Sequence, residues 1–344
     1  PGSDVGHLSV LGYDPHKYYT GRAPIEAVAM KIPLGKNDIA FRCNLVRLDE
    51  KNGQTLMGDF TAGHISNEKA HPLIRLLNEK LACRGAVAAP GREDPAPTIK
   101  FYPGVSYRHL MVWKNGKAKT VLTPPHDLTD KPIAPGLPQG EAADFILGLM
   151  QESQKILVGN GTEANSIWLW GQGRSTTLTP FPKKGGLISA VDIVRGVGLL
   201  AGLEIVSVPG ATGYFDTDYE AKAAYALKAL EKDDFVFVHV EATDEAGHMG
   251  NKDQKASSVS DIDQRLIGTL LKGLVKFKEY RILVTSDHAT PCHLKTHTPD
   301  PAVYLIYDST GSKKGRGRFT EKDAAQTGNR IRVGHEMMKK FLQL

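Results

Sequence analysis

Hydrophobic and polar positions follow one pattern in the second half of the chain and another in the first. From Leu187 onward, short apolar runs alternate with longer stretches in which apolar residues recur at helical spacing, which is typical of an α/β unit with a largely parallel sheet. The apolar runs predict strands at 186–191, 204–208, 235–240, 281–286 and 302–307. The helical spacing predicts helices at 192–203, 219–232 and 253–276. We therefore expect a doubly wound sheet in this half.

Residues 23–166 carry the other pattern. Apolar runs predict strands at 39–48 and 107–113, and helical spacing predicts a helix around 67–82. Segments rich in proline and glycine, near 90–104 and 123–138, connect these elements. Together these features predict a separate α+β domain.

Composition and charge narrow the class of protein. The chain has 344 residues, of which 41% are hydrophobic and 24% charged, a balance that fits a soluble globular protein and excludes disordered, collagen-like and coiled-coil chains. This length predicts about two domains. The net charge is +5, but the 43 basic residues are spread among 38 acidic ones without a lysine- or arginine-rich block. A nucleic-acid partner is therefore not expected.

The longest apolar stretch and the cysteines bear on location. Residues 186–208 are interrupted by Asp192, Arg195 and Glu204, which are costly inside a bilayer, so no transmembrane segment and no membrane partner are expected. The three cysteines are odd in number, far apart and without a CxxC pattern. Neither a disulfide framework nor a zinc–thiolate site is therefore expected, and a reducing cytoplasm is the predicted location.

The first chemical signal is an aspartate and a histidine four residues apart. Asp244 and His248 follow the apolar run 235–240, and ligands of parallel sheets bind beyond the carboxyl ends of the strands. A DxxxH loop at that edge can direct a carboxylate and an imidazole at one cation. Taken alone the signal is weak, because aspartate and histidine are ordinary loop residues.

Further metal-ligand types follow two more predicted strands. Asp287 and His288 come directly after the run 281–286, and His297 precedes the run 302–307. Two aspartates and three histidines suit Mn²⁺, Zn²⁺ or Mg²⁺ and supply most of a two-metal site. The alternative is that the histidines only hydrogen-bond loops, and His293 is a second candidate for the place given to His297.

A nucleophile for such a site stands near the start of the chain. Ser3 is flanked by Gly2 and precedes an apolar segment. A hydroxyl coordinated to a divalent cation ionises near neutral pH, so this serine can attack an electrophile. The alternative is a helix N-cap, a common position for serine.

Seven segments, in chain order, carry a resemblance to a known family: PGSDVGHLSVLGYDPHKYYTGRAPIEA, FRCNLV, YRHLMVW, PPHD, WLWGQGR, HVEATDEAGHMGN and TSDHATPCHLKTHTPDPAVYLIY. They resemble the cofactor-independent phosphoglycerate mutases of the archaeal type, members of the alkaline phosphatase superfamily. The resemblance implies an α/β fold in which residues 1–20 and 175–344 form a metal-binding domain with a doubly wound, mostly parallel sheet. It also implies a smaller α+β domain at 21–174, inserted in the first, that clamps the substrate.

The same resemblance implies roles for the candidate residues. Ser3 looks like the serine that becomes phosphorylated. One divalent cation would be bound by Asp244, His248 and His297, and the other by Asp287, His288 and Ser3. Mn²⁺ is the first candidate, with Mg²⁺, Zn²⁺ and Co²⁺ as alternatives, and no bisphosphoglycerate is required.

One ligand of the family is missing from the sequence. The family has a further aspartate, in a DG motif on the first strand, upstream of the nucleophile. The chain starts at Pro1, so no residue matches that position. We expect the natural protein to continue N-terminally by some tens of residues.

The substrate of the family carries a carboxylate and a phosphate, and arginine binds either group bidentately. Arg42, Arg108 and Arg174 fit this role, although each alone is equally compatible with a solvated surface arginine. His126 and Asp127, in a loop bounded by prolines, are expected to hold the glycerate hydroxyls or carry a proton. Lys184 is expected to reach the phosphate.

The function implied is the interconversion of 3-phosphoglycerate and 2-phosphoglycerate through a phosphoserine. One alternative keeps the metal core but assigns another phosphoryl or phosphonate reaction, as in a phosphatase or a phosphopentomutase-like enzyme. In a non-catalytic binding protein, Ser3 or some of the metal ligands would be replaced by residues that cannot do the chemistry. None of these residues is replaced in this sequence. The expected partner is a phosphoglycerate; the oligomeric state stays open.

Overall fold

The computed structural model describes residues 2–82, 98–311, 315 and 317–343. The chain divides into two compact units: unit 1 comprises the residues up to Tyr19 together with those from Thr177 onward, and unit 2 comprises Thr20–Thr176. Cys83 and the first part of the predicted connector 90–104 lie outside the described residues. Within the described ranges, no helix is both long and apolar enough to cross a membrane.

Unit 1 contains most of the helices. They are α1 (Ser3–Val10), α2 (Pro15–Tyr18), α6 (Asp192–Leu200), α7 (Tyr219–Ala229), α8 (Ala242–Met249), α9 (Lys252–Asp261), α10 (Gly268–Leu274), α11 (Glu321–Gln326) and α12 (Glu336–Leu342). A π-helical segment, Ile262–Ile267, joins α9 to α10, so the helix predicted at 253–276 is present with a wider turn in its middle. The strands of unit 1 are β8 (Gly185–Ile188), β9 (Glu204–Ile205), β10 (Phe235–Val238), β11 (Arg281–Thr285) and β12 (Tyr304–Asp308).

Three of these strands form the predicted parallel sheet. The order is β10-β8-β9, and both pairings are parallel. Helices α6 and α7 connect successive strands, as parallel pairing requires. The strands are shorter than predicted. After β8, the Ser189 hydroxyl accepts a hydrogen bond from the Val191 amide at the point where the chain turns toward α6.

The remaining two strands differ from the prediction. β11 and β12 pair antiparallel in a separate two-stranded sheet, with Thr285 opposite Tyr304. A parallel return needs a crossover, usually a helix, and residues 286–303 contain none. An isolated bridge between Ala289 and Thr298 folds this connection back on itself. This connection carries three of the candidate ligands: Asp287, His288 and His297. It therefore positions candidate ligands and does not form a crossover between parallel strands.

Unit 2 is an α+β unit, as the pattern predicts. Its strands are β1 (Ile39–Lys51), β2 (Gln54–Asp59), β3 (Ile99–Tyr102), β4 (Arg108–Trp113), β5 (Thr120–Val121), β6 (Gln139–Gly140) and β7 (Ser166–Arg174). Its helices are α3 (Arg22–Ala29), α4 (Asn67–Leu77, continued by a π-helical turn, Asn78–Ala82) and α5 (Ala143–Leu157).

An antiparallel sheet organises unit 2. The order is β2-β1-β4-β3, and β7 also pairs with β1. Strand β1 is buried along its first eight residues because both of its faces are covered. One face packs on the main core, with Phe41, Cys43 and Leu45 among its members. On the other face, Ala40 packs with α3 residues in a smaller cluster.

Candidate active site

The structure brings the predicted metal ligands of unit 1 together. Asp244 and His248 lie one helical turn apart on α8, so they share a face of that helix. The loop predicted around them is therefore wrong: the chain enters a helix directly after β10. Gly247 lies on the same helix, and a side chain there would clash with the carbonyl oxygen of Thr290. Glycine thus lets α8 approach the segment that carries His288 and His297.

Asp244, His248 and His297 converge on one point. His248 Nε2 lies 3.2 Å from Asp244 Oδ2 and 3.0 Å from His297 Nε2. His297 Nε2 lies 3.6 Å from Asp244 Oδ1. The Nδ1 atom of His248 donates to the carbonyl of Lys295 at 3.1 Å, which leaves Nε2 as the atom that faces the others.

The electrostatics of this group favour positive charge. A hydrogen bond to Asp244 raises the pKa of His248 to about 9 despite its burial. Burial opposes ionisation of Asp244, but hydrogen bonds from His248 and Thr290 hold its pKa below the usual range. Two imidazole nitrogens and a carboxylate oxygen therefore meet at a point where a cation would satisfy all three.

Ser3, Asp287 and His288 form a second group. Ser3 Oγ lies 3.0 Å from His288 Nε2, which lies 3.2 Å from Asp287 Oδ2. Ser3 is the first residue of α1, and the N-cap position is held by Gly2 without a side-chain hydrogen bond. The serine hydroxyl thus faces the histidine and does not cap the helix.

Thr290, which the sequence analysis missed, connects the two groups. Its hydroxyl donates to Asp244 Oδ1, so the contact with His288 Nδ1 at 3.2 Å has the imidazole as donor. The Nδ1 atom of His288 is thus taken up by Thr290, and its Nε2 atom faces Ser3 and Asp287. Its position two residues after His288 is the only signal in the sequence.

His7 is a second missed residue. Its Nδ1 donates to the Ser3 carbonyl at 2.7 Å and lies 3.4 Å from Asp287 Oδ2. One helical turn separates His7 from Ser3, so the same face of α1 presents both. Gly6 allows the approach, because a Cβ there would lie 2.8 Å from Asp287 Cβ.

The donor set fits divalent cations. Ligand atoms of Asp244, His288 and His297 all lie within 4.8 Å of one another, and the rings of His288 and His297 stack at 3.7 Å. Nitrogen and oxygen donors of this kind suit Mn²⁺, Zn²⁺ and Mg²⁺. His293, the alternative to His297, is exposed.

A buried polar cluster lies behind His7. The His7 ring meets the His239 ring edge-on at 4.9 Å, and His239 Nε2 lies 3.1 Å from Glu241 Oε2. Lys222 is 1% exposed and donates to the His239 carbonyl at 3.0 Å. Burial lowers the pKa of Lys222 to about 8. The sequence around Lys222 does not predict its burial, because a lysine at this position is typical of the polar face of an amphipathic helix.

In unit 2, the predicted substrate residues divide into two sets. Arg42 and His126 surround Trp170: the Arg42 guanidinium carbon lies 4.7 Å from the Trp170 ring, and the His126 ring lies 5.4 Å from it. Arg42 is 4% exposed, and its burial lowers its pKa to about 10 despite the nearby Glu26. The alternative that Arg42 is a solvated surface arginine is therefore excluded.

The other predicted substrate residues are more exposed. Arg108 lies over the Tyr107 ring, at 5.2 Å, and Asp127 lies 3.8 Å from His126 Nε2. Arg174 is exposed at the end of β7.

Lys184 is placed differently. It belongs to unit 1, precedes β8 and pairs with Asp233 at 2.9 Å. It thus lies at the amino end of the parallel strands. The predicted metal ligands of α8 follow the carboxyl end of β10, and the structure does not bring Lys184 to them.

Comparisons with known proteins agree with this arrangement. Residues 1–161 match the family model for 2,3-bisphosphoglycerate-independent phosphoglycerate mutase, and residues 203–300 match that for type I phosphodiesterase / nucleotide pyrophosphatase. A probable 2,3-bisphosphoglycerate-independent phosphoglycerate mutase of Geobacter sulfurreducens is 44% identical over 99% of this chain and 86% of its own length. A mutase of the same description from Methanosarcina barkeri is 43% identical over 95% of this chain and 82% of its own length.

Solved structures share the fold. A protein of Pyrococcus horikoshii superposes with a TM-score of 0.75 at 25% identity, covering 100% of this chain and 84% of its own. A cofactor-independent phosphoglycerate mutase of Thermoplasma acidophilum superposes with a TM-score of 0.57 at 23% identity, covering 100% and 86%. These matches confirm the resemblance and the alkaline-phosphatase-like α/β fold class predicted from the sequence.

Proposed function

Because the chain belongs to the family of 2,3-bisphosphoglycerate-independent phosphoglycerate mutases, we propose that it interconverts 3-phosphoglycerate and 2-phosphoglycerate through a phosphoserine at Ser3. It is an enzyme of the isomerase class. The observation that carries the proposed mechanism is the Ser3 hydroxyl, 3.0 Å from His288 Nε2 and beside a set of aspartate and histidine donors. A cytoplasmic location is part of the proposal, supported by the free thiols of Cys43 and Cys292.

Two divalent cations complete the proposed site, with Mn²⁺ first and Mg²⁺, Zn²⁺ and Co²⁺ as alternatives. Asp244, His248 and His297 would hold one, and Asp287, His288 and Ser3 would hold the other. When bound, the cations supply positive charge that stabilises the serine oxygen and the transferring phosphoryl group. Thr290 and His7 orient the donors through their hydrogen bonds.

The chemistry on the chain itself is a double displacement at phosphorus. Ser3 Oγ forms a bond to the phosphorus of 3-phosphoglycerate as the bond to the glycerate 3-oxygen breaks, and the leaving oxygen takes up one proton for the one that the serine loses. The 2-hydroxyl of the glycerate then loses its proton and attacks the phosphoserine, and Ser3 regains a hydroxyl. No net proton, water or cofactor is consumed.

We assign substrate binding to the basic side chains of unit 2. Arg42, Arg108 and Arg174 are proposed to bind the carboxylate and phosphate oxygens, and His126 with Asp127 the glycerate hydroxyls. Unit 1 is the metal-binding domain in this scheme, and unit 2 is the domain that holds the substrate.

A hydrolase is the second candidate function. The match of residues 203–300 to a phosphodiesterase family favours it, because water in place of the glycerate would release inorganic phosphate from the same serine.

The Ser3→Ala variant tests the proposed nucleophile. We expect loss of mutase activity by about a thousandfold or more, because no other group replaces a covalent nucleophile. Cation content, measured by elemental analysis, is expected to stay at half or more of the unchanged protein, since Asp244, His248 and His297 remain. Ser9→Ala, on the same helix, is the matched control and should leave activity unchanged. Normal turnover in Ser3→Ala would contradict the assignment.

A further inference from the structure

The positive charges around Trp170 exceed the negative ones. Arg22 and Arg42 both donate to the same oxygen, Glu26 Oε1, at 2.9 Å each. Arg108 lies close enough that its charge, like that of Arg22, lowers the pKa of Arg42. Two guanidinium groups thus share one carboxylate oxygen while a third positive charge lies near, so the cluster has a net positive charge that an anion would balance.

Burial makes this excess costly unless an anion binds. The Arg42 side chain is 4% exposed and that of Glu26 10%. Arg42 Nε is buried and has no hydrogen-bond partner among the described residues. Buried charged groups are normally fully hydrogen-bonded, so an orphaned guanidinium nitrogen indicates a missing acceptor.

The fold explains why Arg22 belongs to this cluster. Helix α3 begins at Arg22 and packs on the sheet face that carries Arg42, with Glu26 one helical turn after Arg22. The Arg22 guanidinium carbon lies 5.8 Å from the Trp170 ring. Gly171 has a φ of +60°, which favours glycine, and an added Cβ there would contact the side chains of both arginines. Glycine thus leaves room for the two arginines beside the backbone.

We propose that Arg22 is a further substrate-binding residue, which together with Arg42 binds one anionic group of the phosphoglycerate over the Trp170 ring. Glu26 holds the two guanidinium groups side by side, so that both can contact one oxyanion and the buried Arg42 Nε gains an acceptor. The inference rests on the proposed function, because that function supplies the phosphoglycerate. A carboxylate and a phosphate share the required chemistry, and the choice between them is part of the test.

Tryptophan fluorescence measures binding without requiring turnover. All three tryptophans, Trp113, Trp168 and Trp170, lie in unit 2, and Trp170 contacts both arginines. The unchanged protein, Arg22→Met and Arg22→Lys are titrated with 3-phosphoglycerate, inorganic phosphate and D-glycerate. Arg47→Met is the matched control, because Arg47 is a partly exposed arginine of the same unit that pairs with Glu163.

We expect Arg22→Met to raise the Kd and the KM for 3-phosphoglycerate about tenfold or more, from the loss of charge-assisted hydrogen bonds. Arg22→Lys keeps the charge but not the planar fork, so it should recover part of the affinity. Arg47→Met should stay within twofold. If phosphate binding falls and glycerate binding does not, the pair binds the phosphate; the reverse pattern assigns the carboxylate.

The outcomes separate this inference from the proposed function. Turnover of 3-phosphoglycerate with an unchanged Kd in Arg22→Met overturns the inference and leaves the function intact. Binding that depends on Arg22 without any mutase turnover overturns the function and retains the anion site. No fluorescence response to any of the three probes, or an equal effect of Arg47→Met, overturns the inference. A melting curve of Arg22→Met shows whether this variant is still folded. If it is not, Arg22→Lys decides the question alone: an intermediate Kd supports the inference, and an unchanged Kd overturns it.

Discussion

At the scale of single residues, the Thr290 hydroxyl sets the orientation of two proposed ligands. It donates to Asp244 and accepts from His288 Nδ1 at 3.2 Å. Thr290→Val keeps the shape but removes both hydrogen bonds, so we expect the affinity for Mn²⁺ to fall about 10- to 100-fold. Titration calorimetry measures this affinity. Thr290→Ser should restore most of it, and Thr310→Val, at a remote surface hydroxyl, should have no effect; equal affinities in Thr290→Val and the unchanged protein would contradict the role.

His109 gives a pH dependence to the stability of unit 2. It is 1% exposed and accepts from the Gly104 amide through Nδ1, and burial lowers its pKa from 6.5 to about 3. Between these values the unfolded chain binds a proton that the folded chain does not. The free energy of unfolding should therefore fall as the pH drops from about 6.5 toward 3, by about 1.4 kcal/mol per pH unit from this group.

His109→Gln should remove that slope while keeping an acceptor for Gly104. Urea unfolding followed by tryptophan fluorescence reports on unit 2, which holds all three tryptophans. An identical pH slope in His109→Gln and the unchanged protein would show that His109 is not the group responsible.

The residue scale also shows what the sequence could predict. Asp244, His288 and His297 were predictable because their types match a metal site and they stand next to apolar runs. The placement of Thr290 and Arg22 was not, since the contacts of a threonine or an arginine depend on neighbours that are distant in the chain. The pairing of Lys184 with Asp233 was not predictable for the same reason, and the role expected for Lys184 stays a prediction.

At the scale of elements, the approach of α8 to the segment that follows β11 builds the proposed metal site. Gly247→Ala would push the helix away from Thr290. We expect a loss of about 1–3 kcal/mol in stability and at least about a tenfold loss in Mn²⁺ affinity, because proposed ligands lie on both sides of the contact. Thermal unfolding followed by circular dichroism and titration calorimetry measure the two effects.

Gly148→Ala is the matched control for this substitution. Gly148 lies inside α5, and an added Cβ meets nothing within 4 Å. Alanine there should stabilise the protein by about 0.5–1 kcal/mol. If both variants changed stability alike, the contact between α8 and Thr290 would not be the cause.

Helices and strands were predicted correctly where a hydrophobic pattern continued over many residues. The prediction failed where the direction of strand pairing decided the structure. The helix at 253–276 and strand β1 followed from periodicity. The antiparallel pairing of β11 and β12 did not, because an apolar run has the same appearance in either direction. The helix around Asp244 was missed because a glycine and four polar residues interrupt its apolar spacing.

At the scale of the whole molecule, the charge and chemistry are divided between the two units. Unit 1 carries the aspartates, histidines and serine suited to phosphoryl transfer, and unit 2 carries the arginines suited to a doubly anionic substrate. A nucleophile and an anion-binding site on different parts of the chain fit a reaction in which the phosphoryl group stays on the protein while the glycerate is held.

Phosphorus NMR on the protein with Mn²⁺ and 3-phosphoglycerate, in the absence of bisphosphoglycerate, tests the central claim most directly. The account predicts that a 2-phosphoglycerate signal grows to equilibrium with little inorganic phosphate. Inorganic phosphate as the main product, or a spectrum that does not change, would contradict it.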